Sequence, residues 1–471
     1  MERSQFLTDS FIRELRYEPT SDQLRLFRAL GHFFTSDEGD ILVVNGYAGT
    51  GKTTAVSAVL ASLRQLEVPC VLLAPTGRSA KVLSQYSGMP AATIHKHIYR
   101  QSSIGADGRG RFTLSPNKSR GTVYVVDEVS LIGIDSENSQ FGSGNLLEDL
   151  VNFMRSGTDC KMIFLGDDAQ LPPVGMDVSP ALSPEYMAGA GGVSFQTLSE
   201  VVRQQAGSGI LTNATRLRGL IARGDFLERR DLGLSKADDV VSIGGGELLE
   251  ALSDAYSLYG EDRTIVLCRS NRRANRYNAG IRAQVLFREE RLVREDKLMV
   301  VKNCYHGLED IEETDYIANG DITRVIKVSK YEERYGFQFA EARLALPDYG
   351  DQEIVAKILL DTLESEAPSL TYEQANRLYQ GVSEDYSHLS TKKKRYDAVK
   401  EDPYFNALQI KYAHAITGHK SQGGQWDCVF IDNPLWQDDV TLDDLKWLYT
   451  AITRATEKVY LVNFKDDCFA I

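Results

Sequence analysis

The sequence has few of the features that mark secreted, metal-ribbon or membrane proteins. Its six cysteines are scattered over 471 residues without a C-x-x-C pair, so neither a zinc ribbon nor a disulfide framework is suggested. No apolar run approaches the ~18 residues of a membrane span. The N-terminus, MERSQFLTDSF, is too polar for a signal peptide. We therefore expect a cytoplasmic protein without a membrane partner.

An excess of positive charge is also missing. Lys and Arg number 53 against 66 Asp and Glu, which gives a formal net charge of −13. This balance argues against a protein that coats duplex DNA by bulk charge, because such binding neutralises many phosphates. It leaves room for a groove that follows a few nucleotides by stacking and hydrogen bonds.

A glycine-rich loop stands between an apolar run and an Ala-rich helical pattern, in the stretch ILVVNGYAGTGKTTAVSAV from Ile41 to Val59. The glycines let backbone N–H groups turn inward around a polyphosphate, the lysine reaches its outer oxygens, and the Thr53 hydroxyl can ligate Mg²⁺. The pattern predicts a site for ATP and Mg²⁺ formed by Gly46, Ala48, Gly49, Thr50, Gly51, Lys52, Thr53 and Thr54.

Two acidic strand ends follow. In VYVVDEVS, Asp127 is predicted to lie beside Mg²⁺ and Glu128 to orient or deprotonate the attacking water. In FLGDDAQLPPVG, a further strand ends at Asp167, and the amide of Gln170 can sense the γ-phosphate or the water. An Asp-rich turn stiffened by two prolines is the alternative interpretation of the second motif.

Two arginines complete the predicted charge balance: Arg203 in LSEVVRQ and Arg454 in LYTAITRATEKVYLV. Phosphoryl transfer depends on cations brought to the γ-phosphate. We predict that both arginines reach it across a cleft that closes on nucleotide. For either one, a surface ion pair is the alternative.

Apolar runs alternate with helical patterns, which predicts parallel sheets covered on both faces. The predicted strands are Ile41–Asn45, Pro69–Ala74, Thr122–Asp127, Lys161–Gly166, Thr264–Arg269, Asp427–Asp432 and Val459–Phe464. Residues 100–121 are polar and Gly-rich and predict a protruding hairpin. Residues 297–405 alternate around turns and then become helical and charged, which predicts a small β-barrel with a helical appendage.

The ordered motifs GYAGTGKT, APTGRSA, TIHKHI, VVDEVS, GDDAQLPP, VVRQ, ITGHKSQG and YTAITRA resemble those of superfamily 1B DNA helicases, in the RecD-like and Dda-like branch. The resemblance implies an α/β fold with two RecA-like P-loop domains. The first would comprise residues 1–99 and 122–205, with the hairpin 100–121 as a pin. The second would comprise residues 206–296 and 406–471, with an SH3-like barrel and helical tower at 297–405.

The same resemblance assigns further roles. Gln23 would contact adenine, Gly423 would lie against the γ-phosphate, and Phe112 would be the wedge of the pin. Single-stranded DNA would be contacted by Pro75, Thr76, Thr93, His95, Thr417, His419 and Ser421. From the residues alone, either histidine could instead be a local hydrogen-bonding group, and Phe112 could pack on its own domain.

The implied activity is ATP-driven travel from 5′ to 3′ on single-stranded DNA and unwinding of forked duplex. No nuclease motif is present, and the sequence starts without the N-terminal extension of longer RecD-like proteins, so we expect a stand-alone, monomeric motor. Two alternatives remain open: a nucleotide-gated translocase that does not unwind, and a motor directed by RNA.

Overall fold

The computed structural model describes residues 2–104, 110–134, 141–202, 207–224, 227–304 and 317–470. Up to Val202 the strands are β1 (Ile41–Gly46), β2 (Cys70–Ala74), β3 (Ala91–Thr93), β4 (Tyr99–Ile104), β5 (Gly110–Leu114), β6 (Val123–Val126), β7 (Lys161–Gly166) and β8 (Val193–Leu198). The helices are α1 (Glu2–Glu14), α2 (Ser21–Thr35), α3 (Lys52–Gln65), α4 (Gly77–Ser87), α5 (Ile94–Ile98), α6 (Leu146–Arg155) and α7 (Pro184–Ala188).

Six of these strands form a parallel sheet in the order β3-β2-β6-β7-β1-β8. Successive side chains of a strand point to opposite faces, so β1 supplies two hydrophobic cores. Leu42 and Val44 pack with α1, α2 and α3, whereas Ile41 and Val43 pack with α5 and α6. We call this sheet with its helices the first lobe.

From Gly207 onward the strands are β9 (Leu227–Glu228), β10 (Val240–Ile243), β11 (Thr264–Cys268), β12 (Lys297–Val300), β13 (Ile322–Arg334), β14 (Phe337–Leu346), β15 (Gln352–Leu359), β16 (Leu408–Tyr412), β17 (Ala415–Thr417), β18 (Trp426–Asp432), β19 (Asp439–Val440) and β20 (Ala455–Val462). The helices are α8 (Gly209–Arg223), α9 (Leu248–Tyr259), α10 (Asn271–Gly280), α11 (Tyr372–Asp385), α12 (Lys392–Lys400), α13 (Gly418–Ser421) and α14 (Leu442–Ile452).

A second parallel sheet has the order β10-β20-β18-β11-β17. Helices α8 and α14 cover one face of it, and α9 and α10 cover the other. We call this sheet with these helices the second lobe. Strands β12 to β16 close a separate five-stranded barrel, and α11 and α12 pack against it through Phe337 and Phe339.

The α/β class is confirmed, and all seven predicted strands are present as β1, β2, β6, β7, β11, β18 and β20. Strands β4 and β5 form the predicted antiparallel hairpin. The sequence did not reveal β3, β8, β10 and β17, which all lie at sheet edges, where short or partly exposed strands lack a continuous apolar run. The predicted domain boundaries stay predictions.

All six cysteines are free thiols, and five of them are buried. Within the described parts of the chain, no helix is long and apolar enough to cross a membrane.

Candidate nucleotide site and nucleic-acid interface

The phosphate loop joins the end of β1 to the first residue of α3, Lys52. Gly49 and Gly51 have φ values of 75° and 71°, in the left-handed region that glycine adopts most readily. A Cβ atom on Gly51 would lie 2.5 Å from Nε2 of Gln23. The backbone conformation therefore favours glycine here, and a side chain at this position would also have to displace the Gln23 amide.

Gln23 braces the loop from α2. Its Oε1 accepts a hydrogen bond from the Thr20 backbone N–H at 3.0 Å, which completes a capping box. Its Nε2 donates to the carbonyl oxygens of Thr50 and Gly51 at 3.4 and 3.3 Å. The side chain is therefore fixed against the phosphate loop, while its contact with adenine stays a prediction.

The predicted lysine and acidic pair come together beside this loop. Nζ of Lys52 donates to the carbonyl oxygen of Gly166, at the end of β7, at 3.2 Å. The Asp127 carboxylate accepts from the Tyr86 hydroxyl and from the Glu128 backbone N–H, both at 2.8 Å. Glu128 has a φ of 54°, an uncommon conformation for a residue with a side chain, and such strain is concentrated at functional sites.

Glu128 has a free acceptor inside the cleft. Its Oε2 is buried and has no hydrogen-bond partner among the described residues. Burial raises the pKa of Glu128, Asp127 raises it further, and the charges of Lys52 and Arg454 act in the opposite direction. The structure thus brings Arg454 of the second lobe within electrostatic reach of Glu128 in the first.

Arg454 follows α14 and is 6% exposed. Its guanidinium donates to the carbonyl oxygens of Thr450 and Gly424 at 3.1 and 3.3 Å. These contacts hold the guanidinium against backbone groups of the second lobe. The other predicted arginine, Arg203, lies outside the described residues.

The segment after β7 adds two buried polar side chains. Asp167 is 1% exposed and Gln170 is 6% exposed. Nε2 of Gln170 lies 3.5 Å from Oδ2 of Asp167, and its Oε1 has no hydrogen-bond partner among the described residues. Buried polar atoms are rarely left unpaired, so these orphan oxygens of Gln170 and Glu128 mark a place for a ligand or water.

The predicted DNA contacts stand at the carboxyl ends of strands in both lobes. Pro75 and Thr76 follow β2, Thr93 ends β3, and Thr417 ends β17. The hydroxyls of Thr76 and Thr93 cap α4 and α5 by accepting backbone N–H groups. Short polar side chains and loop N–H groups at such ends suit a phosphate backbone. His419 is exposed in the same segment as Thr417.

Three other residues that were predicted to contact DNA or ATP lie against neighbouring parts of the protein: Ser421, Gly423 and His95. Ser421 is fully buried and its hydroxyl donates to the carbonyl oxygen of Gly418 at 2.7 Å, so DNA cannot reach it in this conformation. Gly423, with a φ of 73°, lies against α4, where an added Cβ would be 2.4 Å from Oγ of Ser79. His95 packs edge-on against the Phe141 ring at 5.0 Å.

Phe112 packs on its own lobe. Its ring stacks on Phe141 with centroids 4.5 Å apart and an interplanar angle of 17°. This is the packing alternative considered from the sequence. Its role as a wedge stays a prediction.

Two protein families and several known proteins are similar to this chain. Residues 20–232 match the AAA domain family, and residues 412–462 match the UvrD-like helicase C-terminal domain family. An uncharacterized protein of Methanocaldococcus jannaschii is 22% identical over 465 residues, which cover 89% of this chain and 36% of that protein. The ATP-dependent DNA helicase Dda of Enterobacteria phage T4 is 24% identical over 447 residues, which cover 89% of this chain and 94% of Dda.

The matches to the AAA domain, to the UvrD-like helicase C-terminal domain and to Dda agree with the resemblance of the motifs to those of superfamily 1B helicases. A solved structure of two coordinating Pif1 helicases at forked double-stranded DNA shares the fold of this chain, with a TM-score of 0.50 and 14% identity. The match covers 96% of this chain and 94% of that one.

The sequence interpretation missed the polar contacts that join the two lobes. Residues of α14 make several of them: Nζ of Lys446 donates to the carbonyl oxygens of Asp168 and Asp177 at 2.9 and 2.7 Å. The hydroxyl of Thr450 accepts from the Leu171 backbone N–H at 2.8 Å. The motif YTAITRA contains Thr450, and Lys446 lies three residues before the motif, but only the arginine of the motif carried a chemical expectation.

Proposed function

We propose that this chain is an ATP-dependent DNA helicase that travels 5′ to 3′ on single-stranded DNA and unwinds duplex. One observation carries the proposal: the Ala48 backbone N–H of the phosphate loop donates to the Tyr449 hydroxyl at 2.9 Å, so the helix that Arg454 follows touches the phosphate loop. A triphosphate held in the phosphate loop would therefore be contacted from both lobes. Hydrolysis would open and close the lobes and move them along a strand.

The loop and the acidic pair fit ATP with Mg²⁺. The exposed hydroxyl of Thr53 and the carboxylate of Asp127 would hold the metal, whose charge offsets that of the phosphates. In the described regions no group of three His, Cys, Asp or Glu side chains is placed to hold a metal ion by itself. This is compatible with Mg²⁺, which commonly takes only one or two protein oxygens besides phosphates and water.

The chain's own groups have separate tasks in this mechanism. The Lys52 ammonium binds the outer phosphate oxygens, and the free Oε2 of Glu128 accepts a proton from the attacking water. Gln170 orients that water through its unpaired Oε1. Arg454 stabilises charge on the transferred phosphoryl group when the lobes close.

The proposed DNA path crosses the carboxyl ends of both sheets, from Thr76 and Thr93 to Thr417 and His419. One chain carries the phosphate loop and Arg454, so we propose that a monomer suffices. We also propose that the protein acts on DNA in the cytoplasm. Forked duplex would meet the β4-β5 hairpin, where Phe112 lies.

The test uses duplexes with either a 5′ or a 3′ single-stranded tail, with Lys52→Ala as the inactive control. We expect ATP-dependent unwinding of the 5′-tailed duplex alone. ATP hydrolysis stimulated by single-stranded DNA without strand separation would instead indicate a translocase. Stimulation by RNA and not by DNA would indicate an RNA-directed motor.

A further inference from the structure

The phenol of Tyr449 lies where the two lobes meet. Its side chain belongs to α14 of the second lobe and is 1% exposed. Its hydroxyl accepts from the Ala48 backbone N–H at 2.9 Å and donates to Oδ2 of Asp167 at 2.8 Å. Ala48 belongs to the phosphate loop, and Asp167 precedes Gln170 by three residues. A single hydroxyl of the second lobe thus joins two segments of the first.

Neighbouring contacts hold this hydroxyl in place. Lys446 lies three residues before Tyr449 and four before Thr450, so its side chain neighbours both of them on α14. Lys446 and Thr450 both make hydrogen bonds to the segment from Asp168 to Asp177, as described above. Any movement of α14 relative to the first lobe must therefore lengthen the two bonds of Tyr449.

Asp167 depends on this contact because it is buried. Its Oδ1 accepts from the Ala169 backbone N–H at 3.0 Å, and its Oδ2 faces the Tyr449 hydroxyl and the Gln170 amide. Without the phenol, Oδ2 would keep only the long 3.5 Å contact to Gln170. An inadequately satisfied buried carboxylate is costly, so the turn that carries Gln170 would be expected to rearrange.

We propose that Tyr449 is a positioning residue for ATP hydrolysis: its hydroxyl fixes the phosphate loop and the Asp167–Gln170 turn relative to the helix that Arg454 follows. The inference rests on the proposed function. Arg454 follows five residues later, and its Nε donates to the carbonyl oxygen of Thr450 at 3.1 Å. When the lobes separate, the Tyr449 phenol and the Arg454 guanidinium move away from the first lobe together. The loop and Gln170 are therefore correctly placed only when Arg454 is also in place.

The test is Tyr449→Phe, which removes only the hydroxyl. We expect the kcat of hydrolysis stimulated by single-stranded DNA to fall about tenfold, as for the loss of a hydrogen bond to a charged group. The Kd for a fluorescent, non-hydrolysable ATP analogue should stay within about threefold of wild type, because the hydroxyl acts on positioning and not on ground-state binding.

The matched control is Tyr386→Phe. The Tyr386 hydroxyl donates to Oδ2 of Asp402 at 2.9 Å, a similar Tyr–Asp bond in the helical appendage of the barrel. This variant should hydrolyse ATP at the wild-type rate. A wild-type kcat in Tyr449→Phe overturns the inference, and so does a loss of analogue affinity as large as the loss in kcat/KM. A wild-type protein that hydrolyses no ATP refutes the proposed function instead.

A second variant keeps the inference testable if Tyr449→Phe unfolds. Asp167→Asn replaces the charged acceptor of the phenol by a neutral one, which weakens the bond without removing it, and should lower kcat by a smaller factor than Tyr449→Phe. When both single variants fold, the double variant should be no slower than the slower single variant, because the two groups act through one bond. Additive losses, or a wild-type kcat in Asp167→Asn, contradict the inference.

Discussion

Replacing Glu128 by Gln should change hydrolysis and stability in opposite directions. The substitution keeps the shape of the side chain, so it creates no cavity. It removes the proton acceptor, and loss of a general base typically lowers the rate by about 10²–10⁴-fold, or about 3–5 kcal/mol in the barrier. ATP and DNA should therefore stay bound together for longer.

The stability change follows from the raised pKa of Glu128. Burial and Asp127 disfavour the charged carboxylate, so the folded protein binds this proton more tightly than the unfolded chain. Protonated Glu128 contributes fully to the free energy of unfolding below the pKa of the unfolded chain, about 4.3. This contribution is lost as the pH rises through the pKa of the folded protein. At neutral pH the ionised side chain therefore costs folding free energy, and Gln removes that cost.

The assay combines single-turnover hydrolysis with thermal unfolding in metal-free, nucleotide-free buffer. The stability advantage of Glu128→Gln over wild type should grow as the pH rises from about 4. Glu67→Gln is the matched control, because Glu67 has a φ of 56° but is exposed. A Gln variant that hydrolyses within threefold of the wild-type rate, or that melts well below wild type at neutral pH, would refute the reasoning.

Three further predictions concern the loop and the hairpin. Lys52→Ala should abolish turnover and leave the melting temperature within a few degrees of wild type; substantial hydrolysis would contradict the phosphate assignment. Gln23→Ala should lose its capping box, about 1 kcal/mol, and also weaken ATP binding, whereas Gln374→Ala, which breaks the corresponding box on α11, should affect stability alone. Phe112→Ala and Phe141→Ala should each lose a stack worth about 1 kcal/mol. Only Phe112→Ala should uncouple unwinding from hydrolysis, and equal unwinding by the two variants would exclude the wedge.

The sequence by itself determined the features that depend on neighbours in the chain. Buried strands appear as apolar runs, so the central strands of both sheets were predicted, whereas edge strands such as β3 and β17 were not. Residue type and spacing were enough to predict the chemistry of the phosphate loop and of the acidic strand ends. The capping box of Thr20 and Gln23 is equally local.

Only the tertiary structure decided which residues that are distant in the sequence form hydrogen bonds with one another. Tyr449 meets Ala48 and Asp167 across 401 and 282 residues. Nothing near Tyr449 in the chain distinguishes it from a core tyrosine. Packing likewise decided that Phe112 stacks on Phe141 and that Ser421 is enclosed. Local pattern fixes conformation and chemical type, but a hydrogen bond between lobes depends on how two separately formed surfaces fit together.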